Sequence, residues 1–215
     1  MNLNKIYIAL KYRIWKYFHN IRCKKYRKRY TNKDLTILSM NCVGGILTHD
    51  LGQMFLSPTV NVGFNAHDFM KFCENIHHYL TIETMERCYD SKILNGRKHL
   101  IASFGDIHLS LRHYKSLEDA QTKWNNRKKR INWDKIVVLC SDRDGMTPEL
   151  MDRFDRLPYK KVMFTHLPVE GRGDHYVYIK GYENEPCVGI ITDPVGWTGL
   201  RPIDQFDWVK FLNEV

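Results

Sequence analysis

The chain has 215 residues, of which 43% are hydrophobic and 13% aromatic, and this composition excludes an intrinsically disordered protein. Its 33 Lys and Arg exceed its 24 Asp and Glu, but eleven of the basic residues and none of the acidic ones lie within residues 1–33. Because the rest of the chain is slightly acidic, the charge pattern argues against a uniformly basic nucleic-acid-binding domain, and we expect no nucleic-acid partner.

The six cysteines are scattered along the chain without a CxxC pair, so the sequence indicates neither a zinc ribbon nor a disulfide scaffold. Free thiols are typical of a reducing compartment, and we therefore expect a cytoplasmic protein. No apolar stretch of the sequence approaches the roughly 18 residues that a membrane-spanning helix needs. The N-terminal segment also lacks the small-residue cleavage site of a signal peptide.

Residues 1–33 form the first predicted unit, a basic amphipathic arm. Apolar residues recur there at steps of three and four, which predicts one stripe along a helix. The stripe consists of Leu3, Tyr7, Leu10, Ile14, Tyr17 and Ile21. A polybasic cluster over 22–29 follows, which is a solvated linker if the helix packs on the body or on another subunit.

Basic amphipathic helices with aromatic residues bind membrane surfaces, and each basic residue near an anionic leaflet contributes about 1 kcal/mol. We therefore expect the arm to hold the protein peripherally at the inner face of the cell membrane. The alternatives are a helix that packs on the body or on another subunit, and an arm that contacts nucleic acid.

From residue 34 onward, strand-like and helix-like segments alternate, which predicts a single α/β domain over 34–215. The predicted strands are 36–41, 60–64, a β meander within 81–115, 135–140, 161–165, 176–180 and 188–192. The predicted helices are 48–55, 66–80, 116–130, 147–157 and a terminal helix from residue 204. Capping patterns at Asn65, Ser116 and Thr147 support three of these helices. The expected fold is a three-layer α/β/α sandwich, with a mixed, mainly parallel sheet because the meander adds antiparallel strands.

Open α/β sheets place their sites outside the carboxyl ends of their strands, and this rule selects four segments. The first is 41–45, after the first strand. Its paired glycines, Gly44 and Gly45, let backbone N–H groups approach an anion at the next helix N-terminus, unless they form only a tight turn. Cys42 is a candidate nucleophile with His49 as its base, or else a small buried cysteine at a strand end.

The second segment is 103–108, where an extended chain places Asp106 and His108 on the same side. They form a candidate base with its orienting partner, or two metal ligands that lack a third. The alternative is a turn aspartate beside a surface histidine.

The third and fourth segments, which begin at residues 124 and 140, lie in the second half of the chain. Trp124 and Arg127 share the buried face of the 116–130 helix, so Arg127 needs an acidic or phosphate partner, either in an ion pair or in a ligand clamp. Asp142 and Asp144 follow the strongest strand, where two carboxylates suit a divalent metal beside a sugar nucleotide, or a simple turn before the next helix.

The same residues carry a family likeness. Asn41-Cys42-x-Gly44-Gly45, His49-Asp50-Leu51-Gly52 and Phe55-Leu56-Ser57-Pro58-Thr59 resemble the opening signature of the DUF1919 family, and the likeness continues through Trp124-x-x-Arg127-x-x-Arg130 to about residue 213. The arm lies outside it, and Val43 replaces an expected aromatic residue. The resemblance implies a three-layer α/β body and a role in bacterial exopolysaccharide or capsular polysaccharide biosynthesis, without a settled reaction.

The resulting hypothesis is a transferase that moves a glycosyl or phosphoglycerol-type group from a nucleotide-sugar or other activated donor to a carbohydrate acceptor. The alternatives are a Cys/His-dependent acyltransferase or hydrolase, and a non-catalytic carbohydrate-binding or assembly subunit. A divalent metal cofactor remains open. The candidate catalytic residues are His49, Asp106 and Cys42, and the candidate substrate- or phosphate-binding residues are Asn41, Gly44, Gly45, Ser57, Trp124, Arg127 and Asp142.

Overall fold

A computed structural model describes residues 3–92 and 98–215 of the chain. The helices are α1 Leu3–Arg29, α2 Val43–Asp50, α3 Ala66–Glu74, α4 Ile76–Thr81, α5 Leu117–Lys128, α6 Pro148–Asp155 and α7 Trp208–Asn213. The strands are β1 Thr36–Ser39, β2 Glu86–Lys92, β3 Lys98–Phe104, β4 Ile107–Ser110, β5 Ile136–Ser141, β6 Lys160–Thr165 and β7 Tyr176–Tyr178. A short 3-10 helix, Pro202–Gln205, precedes α7.

The main sheet has the strand order β1-β5-β6-β7, and each neighbouring pair is parallel. Successive side chains of each strand enter two different apolar cores, so that Val137 belongs to one core and Val138 to the other. The core on one face includes Leu47 of α2 and Leu212 of α7. The core on the other face includes residues of α3, α5 and α6. This arrangement confirms the predicted α/β class, with a mainly parallel sheet covered by helices.

The meander forms a separate antiparallel sheet with the order β2-β3-β4. It does not join the main sheet as predicted, because its apolar face, including Phe104 and Leu109, packs into the core beside Trp124 of α5. An isolated antiparallel bridge between Gly63 and Ser110 connects this sheet to the loop before α3. Residues 93–97 of the predicted meander lie outside the described residues.

Two predicted strands, 60–64 and 188–192, are irregular segments in the structure. Their apolar side chains are buried except that of Ile190, which is 57% exposed, and this burial explains the strand-like sequence pattern. Their backbone groups bond individually instead of forming a ladder: Phe64 donates to the Met40 carbonyl, and Val188 donates to the Asp142 carboxylate. Hydrophobic runs of this length indicate burial more reliably than they indicate strand pairing.

The predicted helix caps are confirmed. The side chains of Asn65, Ser116 and Thr147 accept hydrogen bonds from the third residue of α3, α5 and α6, respectively. The start of α2 differs from the prediction, since this helix begins at Val43 and includes both glycines that were expected to form a loop.

The arm is one continuous helix, α1, which extends through the predicted linker to Arg29. A face made by Trp15, His19, Cys23 and Tyr26 turns toward the body, where Tyr26 Oη donates to Asp204 Oδ1 at 3.0 Å. The predicted apolar stripe is a different face, and its residues Tyr7, Leu10 and Tyr17 are exposed. Within the described ranges, no helix is both long and apolar enough to cross a membrane.

Candidate active site

A cleft of about 530 Å³ lies outside the carboxyl ends of β1 and β5. The residues that line it come from five places in the chain, one of which is the loop 61–65 before α3. Asn41 and Cys42 follow β1, while Ser141 is the last residue of β5 and Arg143 and Asp144 follow it. The antiparallel sheet and the residues after it form a second wall, and residues 188–193 form a third. This position agrees with the rule for open α/β sheets.

Cys42 stands at the entrance to α2, and its Sγ lies 3.1 Å from Nε2 of His113. Both residues line the cleft, although 71 positions separate them in the sequence. Burial raises the pKa of the Cys42 thiol, and the positive charge of Arg112 partly opposes this rise. A thiol beside an imidazole is the arrangement in which a base activates a sulfur nucleophile. The sequence prediction of Cys42 paired it with His49 and missed His113, whose only local signal is its position just after β4.

His49 lies at the opposite end of α2 from Cys42 and is outside the cleft lining. Its side chain is 76% exposed, and its Nδ1 is 3.7 Å from Oδ1 of Asp50. The predicted Cys42–His49 pair is therefore not formed, because the two residues are seven positions apart along α2, which is about two helical turns.

Asn41 connects the carboxyl ends of β1 and β5 through side-chain hydrogen bonds. Its Oδ1 accepts the Val43 N–H at 3.1 Å, and its Nδ2 donates to Ser141 Oγ at 3.4 Å. The first bond fixes which end of the amide faces the cleft. Asn41 is thus a polar group, held by two hydrogen bonds, that lines the cleft beside Cys42.

Several cationic and imidazole groups line the same cleft, namely His99, His108, Arg112, His113 and Arg143. Arg143 is positioned by the Gly189 carbonyl at 3.3 Å and the Asp144 carboxylate at 3.1 Å. Burial and the charge of Arg112 lower the pKa of His99. Arg112 and Arg143 favour an anionic ligand, because positive charge in a concave site attracts one, whereas the lowered pKa of His99 keeps its ring neutral at neutral pH.

Asp106 lies outside the cleft lining, in the turn between β3 and β4. Its carboxylate accepts hydrogen bonds from Lys71 Nζ and Tyr79 Oη, each at 2.7 Å, and these bonds lower the pKa of Asp106 to about 2. A carboxylate with such a low pKa is a weak base. His108 does line the cleft, but its nearby carboxylate is Asp68, at 3.6 Å, and not Asp106 as predicted.

The two glycines have a packing role instead of the predicted anion-binding role. A Cβ on Gly44 would lie 2.8 Å from Cβ of Ser39, and the Gly44 N–H already donates to Ser39 Oγ at 3.1 Å. A Cβ on Gly45 would lie 3.1 Å from Val60. They allow α2 to approach β1 and the following loop closely, and neither lines the cleft.

Three further predicted binding residues are structural. Ser57 is buried, with its hydroxyl 2.9 Å from that of Thr59. Trp124 is buried in the core. Arg127 donates to the Val60 carbonyl at 2.9 Å and to Tyr114 Oη at 3.0 Å, so its recorded partners are neutral groups and not an acid or a phosphate.

Asp142 supports the cleft without lining it. Its Oδ2 accepts from the backbone N–H of His166 at 2.7 Å and contacts His166 Nδ1 at 2.6 Å, while its Oδ1 accepts from Val188 N–H at 2.8 Å. The buried carboxylate therefore fixes the wall that begins at Val188. Asp144, not Asp142, faces the cleft, so the two carboxylates do not form the predicted shared metal site.

The sequence model of a domain of unknown function, DUF1919, matches residues 13–213. The chain belongs to the DUF1919 family. It is also similar to an uncharacterized protein of Haemophilus influenzae (strain Rd), with 37% identity over 188 residues that cover 87% of this chain and 88% of the relative.

The DUF1919 match extends farther toward the N-terminus than the motif likeness did. It begins at residue 13, inside α1, and so includes the half of the arm that contacts the body. Asn41, Cys42 and His113 also lie within the matched region. Thus both the cleft and the docked part of α1 belong to the DUF1919 unit.

Proposed function

We propose that this DUF1919 protein is a Cys/His-dependent acyltransferase that acts on a carbohydrate in surface-polysaccharide biosynthesis. The observation that carries the proposal is the 3.1 Å contact between Cys42 Sγ and His113 Nε2 inside the cleft. The polysaccharide setting comes from the family resemblance of the sequence motifs. Among the functions considered from the sequence, this one uses the residues that the cleft brings together.

The proposed reaction has two steps. His113 takes the proton of the Cys42 thiol, and the thiolate attacks the carbonyl carbon of an acyl donor. The protonated imidazole returns this proton to the leaving group, which departs and leaves a thioester on Cys42. An acceptor hydroxyl then loses its proton to His113 and attacks the thioester, releasing the acyl product and restoring the thiol.

The remaining groups of the cleft fit supporting roles in this reaction. Asn41 Nδ2 carries a second N–H beyond its long bond to Ser141, and we assign it to the oxygen that becomes negative during attack. Arg112 and Arg143 are placed to bind an anionic part of the donor.

A second candidate is the transfer of a glycosyl or phosphoglycerol-type group from a nucleotide-linked donor. The two arginines favour it, and so do Asp144 and Asp193, whose carboxylates line the same cleft and suit a divalent metal. In this reaction the acceptor attacks the donor directly, so Cys42 is dispensable.

Intact-mass measurement separates the two reactions. We expect the protein, incubated with acyl-thioester donors and no acceptor, to gain one acyl group on Cys42, and an oligosaccharide acceptor to remove it. Cys42→Ala and His113→Asn should abolish labelling, whereas Cys187→Ala is the matched control because this half-buried thiol lies outside the cleft lining. Turnover of a nucleotide-linked donor by Cys42→Ala would instead favour the second candidate.

We also propose that α1 holds the enzyme at the inner membrane face, near lipid-linked acceptors. The support is the exposed apolar surface of its first half, which includes Ile6, Tyr7, Ile8 and Leu10. Neighbouring basic side chains such as Lys5, Arg13 and Lys16 are also exposed, as membrane-surface helices require.

A further inference from the structure

A second cluster of reactive side chains lies where α1 meets the body, away from the cleft. His19 and Cys23 are four residues apart on α1 and so share one face of the helix. Asp50, the last residue of α2, projects toward them. His19 Nε2 is 3.1 Å from Asp50 Oδ1 and 3.4 Å from Cys23 Sγ, and the three atoms lie within 4.8 Å of one another.

The two separations from His19 Nε2, 3.1 and 3.4 Å, are close to those of ligands around one small cation. Bonds of about 2.0 Å to nitrogen or oxygen and about 2.3 Å to sulfur place the ligand atoms of a tetrahedral ion roughly 3.3–3.5 Å apart. Imidazole, thiolate and carboxylate are also the ligand types that zinc takes in proteins. Cys23 and Asp50 are buried, at 6% and 1% exposure, so the cluster is shielded from bulk solvent.

We propose that His19, Cys23 and Asp50 bind a divalent transition-metal ion of the zinc type, which fastens α1 to the body. The fourth ligand is either water or the exposed His49, whose Nδ1 lies 3.7 Å from the same Asp50 oxygen. This site is independent of the cleft and of the acyl-transfer proposal, because none of its residues lines the cleft.

The surroundings of Asp50 hold its carboxylate in place for this role. Arg201 Nη1 binds Asp50 Oδ2 at 2.5 Å, which leaves Oδ1 for the cluster. The charge of Arg201 is shared with Asp204, which its Nη2 contacts at 2.9 Å. Hydrogen-bonded outer partners of this kind orient metal ligands and are common at zinc sites.

Without an ion, burial disfavours the charged forms of the cluster. It raises the pKa of the Cys23 thiol to about 11 and lowers the pKa of His19. A metal ion that binds the Cys23 thiolate must displace the thiol proton.

Cobalt(II) is the probe for this site, because its bond to a thiolate gives a strong near-ultraviolet charge-transfer band. We expect the chelator-treated full-length protein to bind one equivalent of Co²⁺ with this band, and one equivalent of Zn²⁺ to remove it. Cys23→Ser should abolish the band and His19→Gln should weaken binding at least tenfold, while Cys187→Ser should bind like the wild type.

The wild-type titration tests the proposal even if a variant fails to fold. Absence of the charge-transfer band in the wild-type protein would overturn the metal site, as would an unchanged band in a folded Cys23→Ser variant. A rise in the melting temperature of the wild-type protein on addition of Zn²⁺, absent in Cys23→Ser, would support the fastening role of the ion.

Discussion

In the proposed acyl transfer, the reactivity of Cys42 depends on two opposing effects on its pKa. Burial raises its pKa, and the charge of Arg112 lowers it. At neutral pH the thiol is therefore protonated in the resting protein, and His113 must accept the proton for attack to begin. This explains why a nucleophile here needs a base at 3.1 Å rather than charge stabilisation alone.

Arg112→Ala should slow the alkylation of Cys42 by iodoacetamide. Removing the positive charge raises the thiol pKa further, so a smaller fraction is thiolate at any pH below that pKa, and we expect a decrease of about threefold to tenfold at neutral pH, equivalent to roughly half to one pKa unit. The measurement is the alkylation rate as a function of pH. Arg143→Ala is the matched control, because Arg143 lines the same cleft but is paired with Asp144 at 3.1 Å. An equal effect of both substitutions would contradict the assignment.

Gly44→Ala should destabilise the fold by about 1–3 kcal/mol, the usual cost of overpacking a core. The added Cβ would lie 2.8 Å from Ser39 Cβ and 3.0 Å from Ile37 Cγ2, both on the buried strand β1. Urea unfolding measures the change. Gly63→Ala is the control, since its Cβ would meet Ser110 at an ordinary 3.5 Å. A stable Gly44→Ala protein would show that α2 can move away from β1 at little cost.

At the scale of elements, α1 has two faces with different environments. The face of Trp15, His19, Cys23 and Tyr26 contacts the body, and the apolar stripe predicted from the sequence is largely exposed. Part of the polybasic cluster is also used in docking, since Arg22 donates to the carbonyl of Thr198 at 3.0 Å. Some basic residues of the arm therefore bind the body, and others lie on its exposed surface.

Gly199→Ala should detach the first half of α1 from the body. Gly199 has a φ of +62°, and its added Cβ would lie 1.4 Å from Cδ1 of Trp15, so the indole must leave its position. Hydrogen exchange of the α1 amides should accelerate at least tenfold around Trp15, while the exchange of β5 stays unchanged.

The matched control for this detachment is Gly196→Ala. Gly196 has nearly the same φ, +65°, but nothing lies within 4 Å of its added Cβ. This variant therefore carries the backbone strain without the clash against Trp15. If both variants accelerate exchange in α1 equally, the backbone strain added to the 195–200 loop causes the effect, and the clash with Trp15 does not.

At the scale of the whole molecule, the exposed apolar residues in the first half of α1 should direct the protein to anionic membranes. Replacing Ile6, Ile8 and Leu10 by Gln removes apolar surface without disturbing the docked face of α1, which a deletion of residues 1–33 would destroy. We expect the wild type to float with vesicles that contain phosphatidylglycerol, and the triple variant to lose most of this binding.

A triple substitution of exposed apolar residues elsewhere is the control for this flotation. Met54, Trp133 and Leu167 are comparably exposed and lie outside α1, so their replacement by Gln should leave flotation unchanged. Wild-type binding should also weaken at high salt, because basic residues contribute to it. Flotation of the α1 variant at the wild-type level would contradict the membrane proposal.

The sequence by itself determined the features that depend on neighbouring residues. The caps at Asn65, Ser116 and Thr147 were predictable because the donor and acceptor of each cap are three residues apart. The α/β class followed from the alternation of buried strands and helices. The carboxyl-end rule then placed Asn41 and Cys42 at the cleft, since it needs only the end of β1.

Only the tertiary structure decided which distant groups meet. His113 contacts Cys42 across 71 positions, and Asp50 contacts His19 across 31, and no local pattern encodes either meeting. Arg127 was predicted to join an ion pair or a ligand clamp because a buried guanidinium needs partners, but in the structure it donates to the carbonyl of Val60 and the ring hydroxyl of Tyr114. Short-range hydrogen bonds and side-chain periodicity are fixed within a few residues, whereas partners across the fold are selected by how the elements bury their apolar faces together.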